Sequence, residues 1–228
     1  MSAPAPNQTF QPDVLVRQLG LQDYTPVWRA MQAFNKSRNP QTSDEIWLLE
    51  HPPVYTLGLN GKPEHVLNSG DIPLVQTDRG GQVTYHGPGQ LVAYLMLDLK
   101  RRGLGVRSLV TLIEQSIIDL LATYGIDSEA RQDAPGVYLD GAKLAALGLR
   151  IKQGCSYHGL SLNIDMDLEP FDRINPCGYE GLTVTQLRSL GVSDPLDKIA
   201  DKLMNHIAKR LGASLNRTTS NEGLFNHD

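Results

Sequence analysis

Two apolar runs, Ile72 to Val75 and Leu91 to Leu97, are joined by Arg79-Gly-Gly-Gln-Val-Thr-Tyr-His-Gly-Pro-Gly-Gln90. Gly80, Gly81, Gly87 and Gly89 let the backbone turn sharply and approach a ligand closely, because no Cβ stands in the way. Arg79, Thr84, Tyr85, His86 and Gln90 then supply polar groups around whatever is bound. Alone, such a stretch also reads as a tight β-hairpin with a polar turn. The residues elsewhere in the chain decide between the two.

The flanking segments predict one α+β domain. Val14 to Leu19 reads as a buried strand, and Asp23 as the cap of a helix that admits Pro26 in its first turn and runs to about Arg38. Glu45 to Glu50, Val54 to Leu57, Leu91 to Leu97 and Tyr157 to Asn163 read as strands. Ser108 to Tyr124 carries apolar residues at helical spacing and is closed by Gly125. Val137 to Leu139 and Lys143 to Ile151 predict a hairpin turning at Asp140-Gly141. A second amphipathic helix is expected from about Pro195 to Leu211. Hairpins outnumber regular βαβ units, so a mixed sheet with flanking helices is expected. The catalytic domain is expected over residues 12–215, between a loose segment at 1–11 and a loose tail at 216–228.

With 228 residues, 40% of them hydrophobic, the chain supports one good-sized core. A net charge of -4 argues against general nucleic-acid binding, which needs a basic face. No run approaches membrane-spanning length, and the first residues lack the basic start and apolar stretch of a secretion signal. A cytoplasmic protein is expected, with Cys155 and Cys177, its two cysteines, free.

Cys177 lies between Pro176 and Gly178, which suits presentation of a thiol, although a lone cysteine is more often a small buried hydrophobe. Cys155 fits the second description. Lys143 enters a strand of small and apolar residues, an odd place for a lysine. It reads either as an edge residue or as an ammonium that stabilises a thiolate. His86 and His158 each precede a glycine and read more readily as hydrogen-bonded structural residues than as bases. The six histidines show no metal-ligand spacing, and residues 58–63 do not make a Walker phosphate loop. Neither metal nor cofactor is expected.

Four segments in this order, Arg79 to Leu91, Gly141-Ala-Lys-Leu-Ala-Ala-Leu-Gly148, Tyr157-His-Gly-Leu-Ser-Leu-Asn163 and Asn175-Pro-Cys-Gly178, together resemble the octanoyl transferases of lipoate synthesis. The resemblance spans roughly residues 12–215. Leu144 and Ser161 stand where isoleucine and alanine are familiar, mild departures. The resemblance implies the fold of the biotin/lipoate protein ligase catalytic domain. It also implies transfer of octanoyl from octanoyl-acyl carrier protein to a lysine of apo-lipoyl domains, in 2-oxo-acid dehydrogenase E2 subunits and the glycine-cleavage H protein. Carried over by position, Cys177 is the acyl-accepting nucleophile and Lys143 its partner. Arg79, Gly80, Gly81, Gln82, Val83, Thr84, Tyr85 and His86 would line the acyl site, with Ala146, Leu147, Gly148, Gly159, Leu160 and Ser161.

Such chemistry suits cysteine, whose thiolate is a good nucleophile and later a good leaving group. Thioester exchange followed by amide formation runs downhill without ATP. Lys143 would stabilise the thiolate and take a proton from the incoming amine, which calls for a pKa depressed towards neutrality. A monomer is expected, with Lys100, Arg101, Arg102 and Arg107 as the surface for the acidic carrier. The rival readings are an ATP-dependent lipoate or biotin ligase, which needs no Cys177, and a non-catalytic carrier- or lipoyl-domain-binding protein, which leaves Cys177 and Lys143 unexplained.

Overall fold

The structure, a computed structural model, describes residues 13–220 and residue 224, apart from the side chain of Cys177. In chain order the elements are β1 (Val14–Leu21), α1 (Tyr24–Ser37), β2 (Asp44–Glu50), β3 (Val54–Leu57), β4 (Leu74–Gln76), β5 (Val83–His86) and β6 (Gln90–Met96). There follow α2 (Val106–Ala122), β7 (Glu129–Ala130), β8 (Gly136–Leu139), β9 (Ala142–Lys152), β10 (Cys155–Asn163), α3 (Leu196–Leu211) and β11 (Leu215–Thr218). Eight strands form one mixed sheet in the order β11-β1-β2-β6-β10-β9-β8-β7, and β4-β3-β5 form a second, smaller one. This is the α+β, mixed-sheet architecture that the sequence predicts.

Strand alternation divides the large sheet into two faces. Val14, Val16, Ile46, Leu48, Leu91, Ala93, Leu95, Leu160 and Leu162 point to one side, where Leu109, Ile113, Ile117, Leu120, Ile199, Leu203 and Ile207 of α2 and α3 cover them. Trp47, Leu49, Val92, Tyr94, Met96 and Tyr157 point to the other, where Val27, Ala30 and Met31 of α1 pack. The core side is aliphatic. The α1 side carries aromatic and polar groups, and covers only part of the sheet.

Three expectations need correction. The Gly-rich stretch is not a hairpin: β5 pairs with β3 in the small sheet, while β6 pairs with β2 and β10 in the large one. Gly87-Pro88-Gly89 carries the chain between the two sheets, held where the Gly89 N–H donates to Glu50 Oε2 at 2.6 Å. The tail is not loose from residue 216, because Leu215 to Thr218 pair in parallel with Val14 to Arg17. β1 would otherwise present an open edge, and β11 satisfies its backbone groups. The expectation for residues 1–11 lies outside the described residues.

Part of the basic cluster near residue 100 turns inward, whereas Lys100 and Arg107 stay exposed. Arg38, Arg101 and Arg102 converge on the fully buried Asp44, at 2.5, 2.6 and 2.5 Å. Burial pushes the Asp44 carboxyl up, but the Asp98 N–H with the Arg102 and Arg38 guanidiniums outweighs it and holds the group below the usual range. A buried carboxylate demands such partners, so Arg102, with 4% of its side chain exposed, is not available to steer a protein partner. The hairpin turns at Asp140 and Gly141 as expected, both with positive φ, 47° and 82°.

Candidate active site

On the α1 face of the large sheet, where β6, β10 and β9 run side by side, the side chains shrink. Ser161 pairs with Ala146, and Gly159 pairs with Gly148 on one flank and Tyr94 on the other. The missing volume leaves a cleft with about 470 Å³ of space not occupied by atoms, part of it open to solvent. Its floor is Ala146, Leu147, Gly148, Gly159, Leu160 and Ser161, and its roof is Arg79 and Gly81 to Thr84, with His86, Tyr24, Tyr94 and His158 closing it.

The roof is anchored by backbone and by Arg79. The Gly80 N–H donates to the Leu149 carbonyl at 2.9 Å, tying the loop to β9. A Cβ on Gly148 would stand 3.0 Å from the Gly80 oxygen and 3.2 Å from Arg79 Cδ, so the close approach requires glycine. Arg79 donates to Thr56 Oγ1, the Thr56 carbonyl, the Gly80 carbonyl and the Gln82 carbonyl. Its guanidinium therefore knits the loop onto β3 as well as facing the cleft.

Lys143 lies on the cleft side of β9. A bulge, in which Val137 pairs with Ala145 but Tyr138 with Lys143, puts Leu144 and Ala145 together in the aliphatic core. Lys143 and Ala146 then share the opposite face. Lys143 is 3% exposed, and its Nζ sits 5.2 Å from the centre of the Tyr138 ring. Behind it Glu114 accepts the Gly136 N–H at 2.9 Å. Burial raises the Glu114 pKa, opposed by that hydrogen bond and by the Lys143 charge.

The backbone of Cys177 forms a short 3-10 turn, Pro176–Gly178. A Cβ on Gly178 would stand 3.2 Å from Gln82 Cγ and 3.4 Å from His65 Nε2, so the turn sits at the Gln82 end of the cleft roof. Downstream, Thr183 accepts the Lys143 N–H at 2.8 Å and Thr185 donates to the Lys143 carbonyl at 2.9 Å. One segment thus links the Cys177 turn to the strand that carries Lys143. The orientation of the thiol lies outside what the structure describes.

Tyr85 and Gly80, expected at the acyl site, are not among the residues that line this cleft. The Tyr85 ring packs between Tyr55 and Phe171, with ring centres 5.5 Å apart in both contacts, because alternation on β5 turns it into the small sheet's own core. Gly80 is spent on the β9 contact. Cys155 is buried, and burial raises its thiol pKa, as expected of a structural cysteine. Among the described residues no three His, Cys, Asp or Glu side chains gather as a metal site, and no helix is long and apolar enough to cross a membrane.

The closed end of the cleft holds Tyr24, His51, Asp78 and Tyr94, none of which the sequence marks out, beside His86 and His158. His51 donates to the Gln22 carbonyl at 2.6 Å and accepts from Tyr94 Oη at 2.7 Å. His86 bonds Gln90 Oε1 at 2.7 Å and stacks on Tyr24 with ring centres 5.9 Å apart. Burial lowers the His51 pKa to about 4, against the Gln22 carbonyl and the Asp23 charge; it lowers the His86 pKa to about 3, with the charges of His51, Arg79 and His158 adding to it and only the Gln90 hydrogen bond opposing. His158 is also lowered, by burial first, despite its contact with Asp78. Asp78 accepts from Trp28 Nε1, Gln32 Nε2, Tyr157 Oη and His158 Nε2 at 2.7, 3.0, 2.5 and 3.0 Å. Burial would raise its carboxyl, but those donors hold it well below the usual range. The helical spacing of Tyr24, Trp28 and Gln32 was the available signal, since it puts all three on one face of α1.

Residues 23–208 match the lipoyl protein ligase A/B catalytic domain. The octanoyltransferase of Azoarcus sp. is 61% identical across 87% of this chain and 88% of its own length. That of Chromobacterium violaceum is 60% identical across 88% and 97%. Among solved structures, a bipartite lipoate protein ligase from Thermoplasma acidophilum superposes with a TM-score of 0.74, 14% identity, and coverage of 94% of this chain and 89% of that one. A lipoate-protein ligase A bound with ATP gives 0.73, also at 14% identity, over 94% and 91%. At such identity these structures share the fold alone, whereas the sequence relatives are near. The chain belongs to the lipoyl protein ligase A/B catalytic-domain family, on its octanoyltransferase branch.

Proposed function

We infer that this acyltransferase moves an octanoyl group from a carrier-protein thioester to a lysine of a lipoyl domain, by way of a thioester on Cys177. The observation that carries this reading is the cleft floored by Ala146, Gly148, Gly159 and Ser161, beginning beside Lys143 and the Cys177 turn. In the first step the Cys177 thiolate attacks the donor's carbonyl carbon, and the carrier's thiolate leaves. In the second, the acceptor's amine attacks the acyl-cysteine, an amide forms, and the Cys177 thiolate is released. Lys143 as an ammonium stabilises the thiolate; as a neutral amine it accepts the proton lost by the attacking nitrogen. Glu114 behind it offsets the buried positive charge.

An octanoyl tail brings about six methylenes, worth roughly 0.8 kcal/mol each on burial, so the slot has about 5 kcal/mol with which to select chain length. The acceptors are apo-lipoyl domains of 2-oxo-acid dehydrogenase E2 subunits and the glycine-cleavage H protein, and the enzyme works as a cytoplasmic monomer without cofactor. Transfer in a mixture of enzyme, octanoyl-carrier protein and apo-lipoyl domain, without ATP, tests the reaction. Lys143→Arg tests the base: it keeps the charge and loses the proton acceptor, so turnover should fall steeply. Full turnover in that variant would remove the base role, and transfer only with octanoate plus ATP would place the chain with the ligases.

A further inference from the structure

We propose that the closed end of the cleft is a binding site for a hydroxyl group, so that medium-chain acyl groups bearing a terminal hydroxyl are substrates beside plain octanoyl. The inference rests on the octanoyl-transfer reading and extends it to a further acyl class.

Two buried polar atoms in the cleft wall have no hydrogen-bond partner among the described residues: the Tyr24 hydroxyl and His158 Nδ1. Tyr24 is 4% and His158 1% exposed. Thr77 lies close enough to the phenol to lower its pKa, but it makes no hydrogen bond of good geometry with it. Buried polar atoms are nearly always paired, so two orphans on side chains that line one cleft mark a place where a ligand supplies the partner. They share one corner: Trp28, one helical turn from Tyr24, donates to the same Asp78 oxygen that receives His158 Nε2.

The chemistry of the ligand follows from the protons. Asp78 is an acceptor facing four donors, so the His158 proton is on Nε2 and Nδ1 presents a lone pair. The Tyr24 hydroxyl can donate. A lone pair beside an O–H fits a group that both donates and accepts. A ketone would leave Nδ1 unmet, a carboxylate would face its lone pair, and an ammonium would enter a wall that already holds the Arg79 charge. A hydroxyl meets both atoms. His158 also sits at φ 59°, left-handed backbone that a side chain adopts only under constraint, and such residues cluster at ligand sites.

The site is at the right depth. Ala146 lies at the Lys143 end of the floor, and Leu149, the pairing partner of His158, is three residues further along β9. That is about 10 Å at the rise of a strand, close to the reach of an eight-carbon chain.

The test compares three carrier-protein thioesters: octanoyl, ω-hydroxyoctanoyl and nonanoyl, the last having as many heavy atoms as the second. Expected is a kcat/KM for ω-hydroxyoctanoyl about tenfold or more above nonanoyl, because a site that bonds a hydroxyl rejects the isostere lacking it. In Tyr24→Phe that ratio should fall towards one; being internal to each variant, it does not depend on how much protein folds. A ratio at or below one in the unaltered enzyme overturns the proposal while octanoyl is still transferred. Failure of octanoyl itself would instead overturn the transfer reading.

Discussion

The two faces of the large sheet are made of the same strands and serve opposite ends. On the α2/α3 side, β6 contributes Leu91, Ala93 and Leu95 to an aliphatic core. On the α1 side, the alternate residues of the same strands are Tyr94 on β6, Gly159 and Ser161 on β10, and Ala146 and Gly148 on β9, with three histidines and Arg79 close by. Close packing stabilises the first face. The second gives up contacts to leave a slot, and a polar network around Asp78 and Arg79 holds its shape instead. Stability and selectivity are thus carried by alternate residues of shared strands.

Four substitutions or conditions separate the two roles. The largest stability effect belongs to the core side. Ile117→Ala, at a fully buried position of α2, should cost about 2–5 kcal/mol, read as a shift of the denaturant midpoint, with unchanged chain-length selectivity in the folded enzyme. A change in selectivity would mean the faces are not separable. Asp78→Asn sets an amide N–H₂ against four donors and should cost about 1–3 kcal/mol. It should also speed hydrogen exchange in residues 79–83, since the clamp on α1 and β10 is weakened; unaltered exchange there would detach Asp78 from the roof.

Ala146→Leu should leave stability nearly unchanged but fill the slot. If the bound chain shortens by two methylenes, preference should move towards hexanoyl by about 1.6 kcal/mol, roughly fifteenfold. An unaltered ratio of hexanoyl to octanoyl transfer would take Ala146 out of the slot. The gentlest effect comes from pH. His51 and His86 stay neutral in the fold down to about 4 and about 3, yet charge near 6.5 when unfolded. The unfolded chain therefore binds more protons across that window, and stability should fall as pH drops from about 6.5 towards 4. Replacing His51 by Gln should flatten the slope; a melting temperature that is level from pH 7 to 4.5 would contradict the neutral, buried state.

Periodicity made the helices and most strands legible, since α2 and α3 each bury one stripe of aliphatic residues. Motif order made most of the cleft legible too: Arg79, Gly81 to Thr84, His86, Ala146 to Gly148 and Gly159 to Ser161 converge from four elements. What stayed hidden depends on long-range partners. Nothing local to Asp78 announces that Trp28, Gln32, Tyr157 and His158 will meet on it. Arg101 and Arg102 look like surface charge until the fold brings a buried Asp44 to them. Tyr85 sits within the motif yet faces away, because a strand shows alternate residues to opposite sides and the motif does not say which side is the slot.

The account's central claim, covalent transfer through the small-residue slot, is tested most directly by intact-protein mass. The enzyme and its Cys177→Ser variant would each be mixed with octanoyl-carrier protein in the absence of ATP. The expected result is a hydroxylamine-labile octanoyl adduct on the unaltered enzyme alone, discharged when apo-lipoyl domain is added. An adduct of equal lability on both proteins, or none on either while the lipoyl domain still becomes octanoylated, would contradict the claim.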